Sequence, residues 1–277
     1  LLNMTVTDSK WICKPFGIHN RSNTCFINSM LQFLLSSPYV NKILNENFNK
    51  ENKINHILNV IINHVLKKDN ILITFKTIQI ICVILKVDYN EQNDMMEYLS
   101  NVIEYINIKE LTDTFKNEYD CYICCNNCKE SKKIVNEENI FIQLNTYNID
   151  EENILTTKID IDGIKCEKCG ETDQHKKNIL THLPANIVFI YNMFENNSIN
   201  GSIKNKLTFN LKNGKYNYVL VSIVEYFGNS NSGHYVSINH RNGGIFKSND
   251  EHIINTDSFK SRNIYSSMYI IDSIDSY

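Results

Sequence analysis

The sequence predicts an α+β fold with helices and strands segregated along the chain, and three observations carry that prediction. In the first third, apolar residues recur at three- and four-residue steps, the period of a one-sided helix. In the last third, short apolar/polar runs are parted by Asn- and Gly-rich turns, the pattern of an antiparallel sheet. Between them lies a polar, strand-like stretch rich in cysteine. Helices first and strands later argue for separate layers rather than alternating βαβ units. With 277 residues, 42% hydrophobic and 21% charged, the chain can bury a substantial core at an ordinary globular composition. Its excess of Asn, Ile and Lys reads as coding bias.

The elements follow in order. Phe26/Ile27, Met30/Leu31 and Leu34/Leu35 form one face of a helix that begins at Cys25 and is stopped by Ser36-Ser37-Pro38. Ile54, Ile57/Leu58, Ile61/Ile62 and Val65 stripe a second helix over 54–66, and a third is expected over 94–105. The apolar stretch 71–85 is interrupted by Lys76 and Gln79 and is too short to span a bilayer. No membrane or secretory segment is expected. Residues 115–180 read as polar strands. Strands are then expected over 187–194, 218–227, 235–239, 244–247 and 268–271, with turns at Asn213-Gly214, 229–233 and Asn242-Gly243-Gly244.

The segment GIHNRSNTCFINSMLQ, residues 17–32, is the most informative. A polar loop delivers Cys25 to a helix start, where the macrodipole and unpaired backbone N–H groups favour a thiolate. The structural alternative is a helix-start cysteine with no chemistry. Far downstream, His234 follows a Gly/Asn/Ser turn, and Asn249-Asp250 comes one hairpin later. Cysteine first, then histidine, then an amide or carboxylate is the order of parts in papain-like cysteine proteases. In that arrangement the histidine takes the thiol proton and the third residue orients the imidazole, accepting its Nδ1–H bond.

Two further pairs, Cys125/Cys128 and Cys166/Cys169, are C-x-x-C knuckles, and four thiolates so arranged suit tetrahedral Zn²⁺. The gap between them exceeds that of a simple zinc ribbon. Cys121/Cys124 has the same spacing and competes for the first knuckle. A metal site lost, with cysteines left over, is the bland reading. A closed four-thiolate site disfavours catalytic zinc. Nine cysteines without a secretory signal suggest a reducing compartment. A net charge of −3 without a long basic run gives nucleic-acid binding little support.

The chain resembles the ubiquitin-specific proteases, cysteine deubiquitinases of papain-like fold with a helical thumb, an antiparallel-sheet palm and zinc-knuckle fingers. Residues 17–32 are similar to that family's Cys box, Glu91-Gln92-Asn93-Asp94-Met95-Met96-Glu97-Tyr98-Leu99 to its Q-x-D-x-x-E-F box, and Ser232-Gly233-His234-Tyr235-Val236-Ser237 to its His box. Ile245-Phe246-Lys247-Ser248-Asn249-Asp250 stands where the family has W-x-x-F-[ND]-D. The motifs keep family order across nearly the whole chain.

The resemblance implies a single catalytic domain over 1–277, with the thumb at about 15–114, the fingers at about 115–184 and the palm at about 185–277. It implies Cys25 as nucleophile, His234 as base and acid, and Asn249 with Asp250 behind the imidazole. Asn20 takes the oxyanion position. Asp94 and Glu97, three apart on one helical face, grip the arginines of ubiquitin's tail, under a loop over 227–233 and beside Tyr235. Cys125 is preferred to Cys121 because Ser131 soon follows its knuckle. The reaction implied is hydrolysis after ubiquitin's last glycine, with structural zinc and no catalytic cofactor. The partners implied are ubiquitin or ubiquitinated proteins, with no nucleic acid or membrane, for a cytoplasmic or nuclear monomer. Some positions depart from the pattern: Arg21-Ser22 for Leu-Gly, Ile245 for tryptophan, Ser248 for phenylalanine, and Tyr191-Asn192-Met193-Phe194 for L-K-R-F. They leave open a protease for a ubiquitin-like modifier or a weak ubiquitin-binding scaffold. A zinc-ribbon nucleic-acid binder is the third reading.

Overall fold

The computed structural model describes residues 9–193, 202–229 and 232–275. Phe194, at the end of one expected strand, and residues 230–231, in the expected loop before His234, lie outside the described residues.

The chain enters through β1 (Phe16–Ile18) and continues into α1 (Cys25–Leu34), α2 (Pro38–Glu46) and α3 (Lys53–Val65). Strand β2 (Ile71–Ile73) returns to pair in parallel with β1, and α4 (Phe75–Leu85), α5 (Met95–Ile106) and α6 (Lys109–Asp113) follow. Every residue of α1 is buried, so it is the central helix. The Ser36-Ser37-Pro38 signal does two jobs: it ends α1 and starts α2, with Ser37 Oγ accepting from the Val40 N–H and Pro38 in the first turn. The apolar stretch 71–85 is split at Thr74, whose side chain caps α4 by accepting from the Thr77 N–H. Hence a short strand precedes the helix there.

The second half holds β3 (Asn117–Cys125), β4 (Ser131–Asn139), β5 (Ile142–Leu144), α7 (Glu151–Leu155), β6 (Thr156–Ile161) and β7 (Gln174–His182). It ends with β8 (Asn186–Tyr191), β9 (Lys206–Leu211), β10 (Gly214–Gly228), β11 (Gly233–Arg241), β12 (Gly244–Asn249), β13 (His252–Thr256) and β14 (Ile264–Asp275). One sheet runs β4-β3-β7-β6; the larger runs β13-β12-β11-β10-β14-β8-β5, with β9 paired to β10. The large sheet is not wholly antiparallel as expected: β5 lies parallel to β8, Ile142 opposite Phe189. The long excursion through α7, β6 and β7 supplies the crossover that a parallel pair needs. Strands β10 and β14 outrun their predicted lengths because long parts of each are buried on both faces, which erases the alternating signal. Register shifts at Asn217/Tyr218, Leu220/Ser222 and Val224/Glu225 further break the period.

Helix α1 is tied to β11 by a buried cation. Arg241 on β11 donates to the Gln32 carbonyl (2.8 Å), Gln32 Oε1 (2.7 Å) and Ser36 Oγ (2.8 Å), and lies over the Phe16 ring. Burial pulls its pKa down to about 10. Ser36 Oγ also donates to Asn239 Oδ1, and Asn41 to the Trp11 and Leu35 carbonyls. A buried polar network of this kind fixes one relative position of helix and sheet. That position matters because α1 begins with Cys25 and β11 carries His234.

Candidate active site

Cys25 opens α1 and is 3% exposed. The loop before it is built around Asn20, whose Oδ1 accepts from the Ser22 N–H (3.1 Å) and the Thr24 hydroxyl (3.0 Å), in the manner of an Asx turn. Ser22 Oγ donates to Asn90 Oδ1 (3.1 Å), and the Asn23 N–H to the Tyr89 carbonyl (3.1 Å). Ser22 keeps a negative φ, so its side chain, where the resembled pattern has glycine, sits without backbone strain. The Gln92 amide lies 3.8 Å from Cys25 Sγ. The motif match singled out that residue without a role.

His234, near the start of β11, and Asn249, the last residue of β12, are brought together by adjacent strands. His234 Nε2 lies 2.7 Å from Asn249 Oδ1. This leaves Nδ1 for the thiol, the reverse of the expected use of the two nitrogens. The hydrogen bond with Cys25 leads the effects that raise the His234 pKa from 6.5 to about 9, against burial; the Asn249 bond and the charges of Cys25 and Asp250 add to it. These neighbours favour the protonated ring.

Asp250 occupies the turn between β12 and β13 with φ of 53°, a left-handed conformation that Asp tolerates better than most residues. The strand alternation alone would send Asn249 and Asp250 to opposite faces; the left-handed turn brings Asp250 back. Its Oδ2 accepts from Asn20 Nδ2 (3.0 Å) and lies 4.0 Å from His234 Nε2. Its Oδ1 accepts from Asn28 Nδ2 (2.7 Å), and its carbonyl from the Ile18 N–H (3.0 Å). One carboxylate thus holds the loop before Cys25 and the first turn of α1. Sequence reasoning missed Asn28; the available signal was a polar residue, 2% exposed in the structure, within the apolar run after Cys25.

Asp94 and Glu97 are not two residues of one helical face. Asp94 is the N-cap of α5: its Oδ1 accepts from the Met96 (2.7 Å) and Glu97 (3.1 Å) N–H groups, and its Oδ2 accepts from the Tyr265 hydroxyl. Glu97 lies in the first turn and is exposed, as is Asp94. Tyr235 is 4% exposed. Its ring packs between Tyr226 (4.7 Å between centroids) and Tyr265 (5.4 Å), the residue that donates to Asp94. The hairpin before His234 is shorter than the expected 227–233 loop, since pairing continues to Gly228 opposite Gly233. Gly233 is required there: a Cβ would fall 2.3 Å from the Tyr226 ring.

Away from this cluster, the Sγ atoms of Cys125, Cys128, Cys166 and Cys169 lie within 4.8 Å of one another. The Cys125–Cys169 and Cys128–Cys166 separations are both 3.6 Å, near the ~3.8 Å edge of a tetrahedron with ~2.3 Å metal–sulfur bonds. The two knuckles turn alike. Cys125 N–H bonds the Glu130 carbonyl and Cys166 N–H that of Glu171. Lys129 (φ 60°) and Gly170 (φ 77°) take equivalent left-handed positions. Backbone N–H groups of Cys169 and then Lys168 pull the Cys166 thiol down to about 7. Cys121 is buried and Cys124 Sγ meets Ser131 Oγ, so neither joins the cluster. These four cysteines can hold a metal ion.

A sequence model described as ubiquitin carboxyl-terminal hydrolase matches residues 16–271. No curated protein matches the chain by sequence. Among solved structures, the SAGA DUB module Ubp8/Sgf11/Sus1/Sgf73 bound to ubiquitin aldehyde is similar at TM-score 0.79 and 19% identity, over 98% of this chain and 72% of that one. The module bound to monoubiquitin gives TM-score 0.77 at 17% identity, over 98% and 72%. The yeast SAGA DUBm carrying an Sgf73 mutant gives 0.75 at 19%, over 98% and 71%. At such identities these likenesses establish the fold.

Proposed function

The chain belongs to the ubiquitin carboxyl-terminal hydrolase family, and from that premise we propose how its own residues carry out the family's reaction. It is a cysteine-type deubiquitinase, which sets aside a scaffold without activity. The observation that carries the assignment of roles is the contiguity of Cys25, the imidazolium of His234 and the Asn249 amide, with Asn20 held by Asp250 beside them.

Cys25 Sγ, its proton passed to His234, attacks the carbonyl after ubiquitin's last glycine. The second N–H of Asn20 and the backbone N–H of Cys25 stabilise the tetrahedral oxyanion, an effect of about 3 kcal/mol in related chemistry. His234 then protonates the departing lysine amine. It next takes a proton from the water that hydrolyses the thioester, so that ubiquitin leaves and the Cys25 thiolate is restored beside the imidazolium. Asn249 keeps the ring aimed. Asp250 keeps Asn20 aimed and adds negative charge near the imidazolium. Asp94 and Glu97 meet the basic tail of ubiquitin, over the floor formed by Tyr235. A ubiquitin-derived electrophilic probe should label Cys25, and Cys25→Ala should abolish reporter hydrolysis. Labelling at Cys13 or Cys82, or turnover surviving in the alanine variant, overturns the assignment.

The helical part serves as thumb, the four-stranded sheet as fingers and the large sheet as palm of one catalytic domain. At the fingers, Cys125, Cys128, Cys166 and Cys169 would hold Zn²⁺ as a structural clamp, its chemistry there being ligation alone. The partners are ubiquitin and ubiquitinated proteins, acted on by a monomer. Nine free thiols suit a reducing, cytoplasmic or nuclear setting. Among the described residues, no helix is long and apolar enough to cross a membrane.

A further inference from the structure

The segment that leads to Cys25 is fastened to the β12–β13 turn at two neighbouring points, and the hydrolytic site accounts for only one of them. Asp250 and Glu251 form that two-residue turn, with Asn249 opposite His252 across it. Asp250 has φ of 53°, a left-handed backbone that costs energy outside glycine, so outside contacts must keep the turn in shape. At the first point, the Ile18 N–H donates to the Asp250 carbonyl (3.0 Å) and Asn20 Nδ2 to Asp250 Oδ2 (3.0 Å). Between Ile18 and Asn20 stands His19. Its backbone N–H donates to the Ile73 carbonyl (2.9 Å), and its Nε2 lies 3.7 Å from Glu251 Oε2. His19 and Glu251 thus make a second cross-link between the same two segments.

Glu251 sits where a lone carboxylate is costly. Among the described residues lining a hollow of about 380 Å³, walled by Phe16, Leu72, Phe246 and Ile253, it alone is charged. Its Oε2 is shut off from solvent and has no hydrogen-bond partner among the described residues. A carboxylate oxygen without water is destabilised unless a donor or cation meets it. The His19 imidazole faces it at ion-pair distance, beyond hydrogen-bond range. Because that oxygen is dry, salt and water screen the pair less than an open surface pair. A pull on Glu251 is a pull on Asp250, its neighbour, and Asp250 holds Asn20. We propose that the His19–Glu251 pair is a positioning pair for the oxyanion donor: it holds the β12–β13 turn against residues 18–20, so that Asp250 keeps Asn20 aimed. The pair acts through Asp250 rather than on substrate, and its role rests on the reading of Asn20 as oxyanion donor.

The test follows hydrolysis of a ubiquitin reporter by the full chain. Glu251→Gln and His19→Leu should each lower kcat about tenfold with KM unchanged, as expected when a transition-state donor is slightly misplaced. The double variant should lose no more than either single variant, since each already breaks the pair. In an Asn20→Ala background, Glu251→Gln should cost about twofold at most, because the group it positions is gone. His19→Lys, which keeps a cation, should retain more activity than His19→Leu. A pair that served the fold alone would cost as much without Asn20 as with it, and that result overturns the inference. So do full activity in both single variants, losses that multiply in the double variant, a rise in KM with kcat unchanged, or equal losses in His19→Lys and His19→Leu. If Asn20→Ala leaves kcat unchanged, the oxyanion reading fails and this inference with it. If Asn20→Ala lowers kcat and Glu251→Gln does not, the inference alone fails.

Discussion

At Asp250 a single left-handed residue lets two consecutive side chains serve different partners, Asn249 facing His234 and Asp250 facing Asn20 and Asn28. Asp250→Ala should therefore act largely through Asn20. We expect Asn20→Ala to lower kcat about a hundredfold, and the double variant with Asp250→Ala to lose much less than the product of the single effects. Multiplicative losses in single-turnover assays would separate the two residues. The His234 pKa, raised to about 9, sets the alkaline limit of kcat/KM: activity should fall as pH rises through about 9, where the imidazolium is lost. Asn249→Ala removes one of the bonds that raise it, so the limb should move to lower pH while kcat drops. The same shift bears on stability. A pKa raised above 6.5 contributes stability that is complete below pH 6.5 and lost as pH climbs through about 9.

At the scale of elements, α5 and β1 carry the sharper tests. Asp94 is both N-cap and candidate tail contact, so reversing its charge would mix two effects: loss of a cap worth about 1 kcal/mol and loss of a substrate contact. Glu97→Gln is the cleaner probe. It should raise KM for a ubiquitin reporter several-fold with kcat unchanged, since a tail contact made equally in ground and transition states is uniform binding. An unaltered KM would reduce Glu97 to surface charge. On β1, a Cβ added at Gly17 would lie 2.8 Å from the Glu251 carbonyl oxygen and 3.1 Å from Leu72 Cδ1. The neighbouring Ile18 N–H holds the Asp250 carbonyl. Gly17→Ala should push the β12–β13 turn away and cost about tenfold in kcat, because small displacements at a reacting centre are expensive. Normal kinetics in a folded Gly17→Ala protein would show that the turn gives way freely.

For the whole molecule, the four-cysteine clamp divides stability unevenly. Elemental analysis in reducing, chelator-free buffer should find one zinc per chain. Cys166→Ser should lower the melting temperature and speed amide exchange in β3, β4, β6 and β7, while α1 and β11, joined by Arg241, keep their protection. Finding no zinc would leave the cluster as four thiols without a clamp. Much of this molecule was legible beforehand. Helix periodicity, the Ser-Ser-Pro signal, the cysteine knuckles and the order of Cys25, His234 and Asn249 are local features, written by side-chain type and spacing along one segment. Local rules also blur where burial becomes two-sided, which is why β10 and β14 looked shorter than they are; β9 and β13 passed unnoticed although neither is buried on both faces. Other features needed the tertiary structure. The choice of Nε2 for Asn249, the capture of Asn20 and Asn28 by Asp250 and the double commitment of Asp94 all join residues distant in sequence. Such contacts depend on where α1, α5 and the β12–β13 turn come to rest against one another. That is set by packing of the common core, and spacing within a single segment does not encode it.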